Sequence, residues 1–529
     1  MIDEDPTPSA GDAALPTGDS TSPTGDSATW TGASRARARS GRGSLIGVLA
    51  ALILIVVAII VPPSTGWDVK ALSAAPLFAE LRPRIGPGSA IALVIAAVVL
   101  VWGPRLTGRL RWWPLLSWTT LVSAAWMLAL DAVDGFDHLG GILNSAEEYL
   151  PTARALADVG LPSAIPDLLS GYVARIPLAA ADNLPVHLAG HPPGAVLFFA
   201  LLVAVGVRSA WGIGLVITVL AATIPAAVMW TLRSLGAEAG ARSLAPFLAS
   251  APAAIWLAVS ADAVFASTGA WAIAVLAWST MRSESGSNRP RTVVGGLAAG
   301  VLLGLGAYSS YGFPLLGLVV LAVFAAARTL RPLSWLIVGG LAVVALFTAG
   351  GFFWWEAYPV LRERYWDGFA ASRPAGYWLW ANLAALLCAT GPALGAGLTA
   401  VVPALRSRLV AIWNGSLRSL PAAGRKGTLR TDATDATDGA GGTDGAGGAG
   451  GTGEDGRWTI GILSAAAVGM VIAADLSSMS RAEVERIWLF MVPWLLVSLA
   501  AVPVRARSWL LSTQLVFALV LAHLVHSSW

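Results

Sequence analysis

Long apolar runs recur along nearly the whole of this chain, and that recurrence constrains its fold more than any motif does. A helix needs roughly 20 apolar residues to cross the hydrocarbon core of a bilayer. The first such run is Leu45–Val61, and others lie near 89–103, 114–130, 193–207, 210–230, 243–259, 262–280, 293–307, 313–328, 333–353, 379–402, 458–474, 486–503 and 509–526. The expectation is an all-α, polytopic transmembrane helical bundle of about 13 spans, with one large outer-face loop carrying short interfacial helices.

Composition agrees with that reading and removes several alternatives. Hydrophobic residues make up 56% of the 529 residues and charged ones 12%, with a mean hydropathy of +0.68. The net charge of +3 is small and the arginines are scattered over short loops, so nucleic acid is not an expected partner and the bilayer is. The only cysteine, Cys388, lies in an apolar run, which leaves neither a disulfide framework nor a Cys-based metal site. There is no P-loop and no GxGxxG following a strand, so ATP-driven and Rossmann-type readings lack support. Abundant Ala, Gly and Arg with little Lys suggest a bacterial, GC-rich genome.

Residues 1–44 read as a disordered cytoplasmic tail, 45–404 as a membrane domain, 405–457 as a flexible cytoplasmic linker and 458–529 as C-terminal membrane helices. Arg105, Arg109 and Arg111 fall inside by the positive-inside rule, which places loop 131–192 outside. The remaining arginines fit only if 193–230 makes a single net crossing, one piece of it being short, re-entrant or interfacial. The turns around Asp262, at 308–312, at 354–378 and at 475–485 then share the outer face, giving a multi-pass plasma-membrane protein.

Polar chemistry gathers on that face. The stretch Asp131–Gly194 holds Asp131, Asp134, Asp137, Glu147, Glu148 and three of the five histidines, His138, His187 and His191. Within it, Asn144–Ala157 reads as a short amphipathic helix, with Leu143, Leu150, Ala153 and Leu156 facing the membrane and Glu147, Glu148 and Arg154 facing water or a cleft. Asp262 sits between two apolar runs, where a charge is costly and marks a functional candidate. Loop 354–378 interleaves aromatic and charged residues, either as an interfacial belt or as a surface for a sugar or polyprenyl chain, and Tyr308 and Tyr311 extend it. Arg486 opens a late span and suits a phosphate or pyrophosphate, or else pairs with Glu483 or Glu485.

The pattern resembles the GT-C superfamily of membrane glycosyltransferases, which includes protein O-mannosyltransferases and aminoarabinose and arabinofuranosyl transferases. The resemblance rests on Glu147-Glu148-Tyr149 in an acidic first outer loop, on His191-Pro192-Pro193-Gly194 opening the next span, on Asp262 at a later outer turn and on Glu485-Arg486-Ile487-Trp488. The family's usual Asp-Glu pair is Glu-Glu here, and no folded C-terminal soluble domain follows.

The resemblance implies transfer of a sugar from a polyprenyl-phosphate donor to a glycan, lipid or protein acceptor of the cell envelope. Glu147 or Glu148 is the expected base, with Asp131, Asp134 or Asp137 as alternatives. Asp137 and Asp262 are candidate positioning groups or ligands for Mg²⁺ or Mn²⁺. Asp134, Tyr149, His191, Asp262, Tyr311 and Arg486 are the expected substrate contacts. The competing readings are a transporter or flippase of lipid-linked precursors and a non-catalytic envelope-assembly protein.

Overall fold

The computed structural model describes residues 26–136, 139–281, 289–418 and 451–527. Its architecture is helical almost throughout, and among the described residues a single two-residue antiparallel ribbon, Glu80–Leu81 against Val525–His526, ties the segment after the first membrane-length helix to the C-terminal segment. Among the described residues nine helices are long and apolar enough to cross a membrane, or ten if the bent pair Leu333–Ala349 and Trp354–Asp367 forms one span. The chain is thus a helical membrane protein by length and composition. The first membrane-length helix leaves Leu45, Ile46, Leu49, Ile53, Val56 and Ile60 exposed, an apolar surface that suits lipid and not water.

Fewer helices meet the length test than the thirteen expected, because Pro and Gly divide several apolar runs. The run at 243–259 becomes Glu238–Ala249 and Ala254–Leu257 around Pro252, and Leu244, Ala245, Phe247 and Leu248 pack inside the protein. The run at 486–503 becomes Val484–Ile487, Val492–Leu496 and Val497–Ala501, also buried. Helix Gly194–Ala204 has 11 residues, and at 1.5 Å per residue reaches roughly 16 Å, far short of a bilayer. The next membrane-length stretch, Ala210–Ser234, is built from two helices, Ala210–Ala222 and Ile224–Ser234, that meet at Thr223.

The helix boundaries differ from those expected for the tail and the linker. The first helix begins at Asp26, inside the stretch read as a tail. Helix Ala393–Arg418 runs into the expected linker and Gly451–Leu476 starts within it, while 1–25 and 419–450 lie outside the described residues.

Helix contacts rely on small side chains. Gly296, Gly300 and Gly304 recur every fourth residue along Arg289–Ala307 and meet helix Leu333–Ala349. A Cβ on Gly300 would lie 2.1 Å from the Leu336 carbonyl oxygen, so the two backbones touch where no larger residue fits. Helix Ala261–Ser279 is the most enclosed of the membrane-length helices, packing against Ala210–Ala222, Ile224–Ser234 and Arg289–Ala307. Asp262 stands in its first turn, so the protein's innermost span begins at the polar cluster described next.

Candidate functional site

Four pieces of chain converge on one cleft: residues 142–149, the short helix Val186–Ala189 with the turn after it, the entry to Ala261–Ser279, and residues 483–486. The cleft itself is lined by Ile142, Leu143, Glu148, Tyr149, Ser260, Asp262 and Arg486, with Val259 and Ala261 completing its wall. Each piece is built differently.

Helix Tyr149–Val159 follows a short turn at Gly141–Asn144 and buries Leu150 and Ala153 against helix Gly194–Ala204. Its apolar stripe therefore faces protein, not the membrane surface expected for Asn144–Ala157. That packing turns Glu148 and Tyr149 inward, at 5% and 2% exposure. The two adjacent glutamates part company here. Exposed Glu147 accepts a hydrogen bond from the Val186 N–H at 2.9 Å, holding the start of the short helix. Buried Glu148 places Oε1 2.8 Å from Nδ1 of His187, on the same short helix.

His191 closes the other side of that turn. Its Nδ1 lies 2.8 Å from the Tyr149 hydroxyl and 2.9 Å from the His187 carbonyl oxygen, and its Nε2 lies 4.0 Å from Asp262 Oδ1. Burial holds the His191 imidazole below its usual pKa against the opposing pull of Asp262. The Tyr149 hydroxyl is pushed far up by burial, with Asp262 and Glu148 adding to it, and so stays protonated. The Gly194 N–H donates to the Tyr308 carbonyl at 2.8 Å, and a Cβ on Gly194 would lie 2.4 Å from that oxygen. The His-Pro-Pro-Gly sequence thus sets the histidine by ending in a residue without a side chain.

Asp262 is presented by a strained turn. Val259, a β-branched residue, has φ +69°, and the Ser260 N–H donates to the Ala258 carbonyl across it at 2.9 Å. Ser260 then caps the helix by accepting from the Ala263 N–H. A second strained stretch presents Arg486: Ala482 and Glu483 have φ +72° and +62°. Such conformations cost about 1–3 kcal/mol each and persist where surrounding structure enforces them, often at functional sites. Here Asn382 enforces one of them, donating to Asp475 at 2.9 Å and to the Ser480 carbonyl at 2.7 Å while accepting from the Ala482 N–H at 3.2 Å.

Arg486 is buried between carboxylates, 3.4 Å from Asp262 and 3.4 Å from Glu483. Arg373 binds the other oxygen of Glu483 at 2.8 Å and the Arg481 carbonyl at 2.5 Å, and lies against the rings of Phe78 and Phe369. Burial raises the Glu483 carboxyl, but Arg486 and Arg373 outweigh it and hold the group below its usual value. The ion pair of Arg486 with Glu483 is therefore present, and the guanidinium is already engaged on the face where a phosphate was expected.

The other expected residues lie elsewhere or beyond view. Asp134 pairs with Arg84 at 2.5 Å and stands 3.5 Å from His526, a separate cluster beside the terminal ribbon. Tyr311 packs among Trp354 and Tyr358, its buried hydroxyl without a hydrogen-bond partner among the described residues. Asp137 and His138 lie outside the described residues. Among the described residues no three His, Cys, Asp or Glu side chains gather to hold a metal ion, and Arg486 occupies one side of Asp262. At Asp262 the described residues offer no donor set for Mg²⁺ or Mn²⁺, and Asp137, the other expected ligand, lies outside them.

Several supporting residues went unassigned in the sequence. The 354–378 stretch is helix Trp354–Asp367 followed by Ala375–Thr390, not a loop, and Tyr377 and Trp378 are fully buried and so form no interfacial belt. Arg364 on the first of these donates to the Ile176 carbonyl and, at 3.0 Å, to the Leu184 carbonyl, fixing the approach to the short helix. Charge within an aromatic run gave a signal there, but its partners are nearly two hundred residues away. The chain matches no protein-family model, no curated protein and no solved structure.

Proposed function

We propose that this protein is a membrane glycosyltransferase that moves a sugar from a polyprenyl-phosphate donor to a hydroxyl of a cell-envelope acceptor on the extracytoplasmic face. The observation that carries the reading is Glu148, a buried carboxylate held by His187 in a cleft that Asp262 and Tyr149 also line. A general base must be within reach of its proton and fixed in place. Glu148 is fixed by His187 and lines the cleft, while its neighbour Glu147 is exposed and bound to the backbone.

In this reading Glu148 takes the proton of the attacking acceptor hydroxyl as the new glycosidic bond forms and the bond from sugar to phosphate breaks. His187 holds the carboxylate orientation, and Asp262 with Tyr149 positions the acceptor. Helices that stop at this face leave the long apolar donor chain in the bilayer beside the cleft. The strain at Val259 and Glu483 supports a site whose geometry is maintained at the expense of stability.

The test is transfer of radiolabelled sugar from polyprenyl-phosphate donors in membranes carrying the wild type or a Glu147→Gln/Glu148→Gln double variant. Transfer by the wild type that the variant lacks supports the proposal. No transfer with any donor, alongside saturable uptake or flipping of the same lipid, would replace it with a transporter.

A further inference from the structure

The cleft offers acceptors to its ligand and almost no free cation. Two buried carboxylates, Glu148 and Asp262, and the half-buried Glu483 face two guanidinium groups, Arg373 and Arg486. Arg373 and Arg486 bracket Glu483, and Arg486 also meets Asp262, so neither arginine stands open to an anion. Glu148 and Asp262 are different. Asp262 is 6% exposed and its neighbours are ion-pair contacts at 3.4 and 4.0 Å, so it accepts no hydrogen bond among the described residues. Among the described residues Glu148 has only Oε1 engaged, by His187. Both line the cleft.

A buried carboxylate without hydrogen-bond donors is costly, and donors supplied by a ligand relieve that cost. An anion would add like charge to a site already rich in carboxylates, in surroundings where burial strengthens the repulsion. We infer that this cleft reads hydrogen-bond donors: it takes a ligand ring bearing hydroxyl or ammonium groups through Glu148 and Asp262, and turns away phosphate. The inference rests on the transfer reading only in calling that ring the acceptor. It assigns Arg486 to steadying Asp262 and leaves the donor's phosphate to be met elsewhere.

The experiment is ligand-observed saturation-transfer NMR on the full chain in nanodiscs, without any donor, so its outcome is separate from turnover. The probes are methyl α-mannopyranoside, glucosamine and inorganic pyrophosphate. Saturable binding of either sugar, weakened at least tenfold by Asp262→Asn and by Glu148→Gln but not by the exposed control Glu363→Gln, is expected. Preference for glucosamine would identify ammonium as the donor, and preference for the mannoside would identify hydroxyls. Glu148→Gln keeps the Asp262 ion pair, so it remains informative if Asp262→Asn fails to fold. Saturable pyrophosphate binding lost in Arg486→Gln, sugar binding indifferent to both carboxylates, or no saturable binding of any probe would each overturn the inference.

Discussion

Glu147 and Glu148 are chemically identical neighbours with different surroundings, and the difference is open to measurement. Glu147→Gln keeps an oxygen for the Val186 N–H, so transfer should persist with a stability loss of about 1 kcal/mol or less, given its exposure. Glu148→Gln should lower kcat by at least 100-fold while leaving the melting temperature within a few degrees of wild type. Glu485 gives a second residue-scale prediction. Its carboxyl is buried and accepts the Phe78 N–H at 3.0 Å through one oxygen, the other having no hydrogen-bond partner among the described residues, and burial raises its pKa to about 7. The unfolded group titrates near pH ~4.3, so between these values the folded state binds more protons than the unfolded one. Stability should fall as pH rises through that window and level off above pH ~7. Glu485→Gln should flatten the melting curve across it and stabilise the protein by roughly 1–3 kcal/mol at pH 8; a wild type whose melting temperature rises from pH 5 to 7.5 would contradict this.

At the scale of elements, the glycine seam between Arg289–Ala307 and Leu333–Ala349 is the most exposed to test. Gly300→Ala puts a methyl against a backbone carbonyl, which must move the helices apart, and should cost more than 2 kcal/mol in thermal or denaturant unfolding. Gly317→Ala, where nothing lies within 4 Å of the new methyl, should be neutral or stabilising by up to about 1 kcal/mol. Comparable losses at both would mean that the close approach is not what matters. The apolar runs were legible as helices because lipid admits little else. Their lengths were less so, since Pro246, Pro252 and Pro493 sit in runs that hydropathy averages over, and a buried helix reads much like a spanning one. The site was legible in part for a similar reason. Glu148, Tyr149, His191, Asp262 and Arg486 were visible as polar residues in apolar surroundings and do converge. His187, Asn382, Arg364 and Arg373 act through partners distant in sequence, and no local pattern announces which loop a guanidinium will reach. Asp134 was equally conspicuous but belongs to the ribbon cluster with Arg84 and His526.

For the whole molecule, the account needs the cleft and the linker on opposite sides of the membrane. In a Cys388→Ala background, a cysteine at exposed Asp182 should react with an impermeant maleimide in intact cells, and one placed within 419–450 should react only after permeabilisation. Labelling of both from outside would break the topology that puts acceptor and donor at one face.

The most direct measurement of the central claim is sugar transfer from a polyprenyl-phosphate donor in sealed, right-side-out vesicles, comparing wild type, Glu147→Gln and Glu148→Gln at equal protein levels. Transfer in the wild type, kept by Glu147→Gln and abolished by Glu148→Gln, is the predicted result. Equal transfer by wild type and Glu148→Gln would contradict the account, and the buried carboxylate would then be a structural partner of His187 and nothing more.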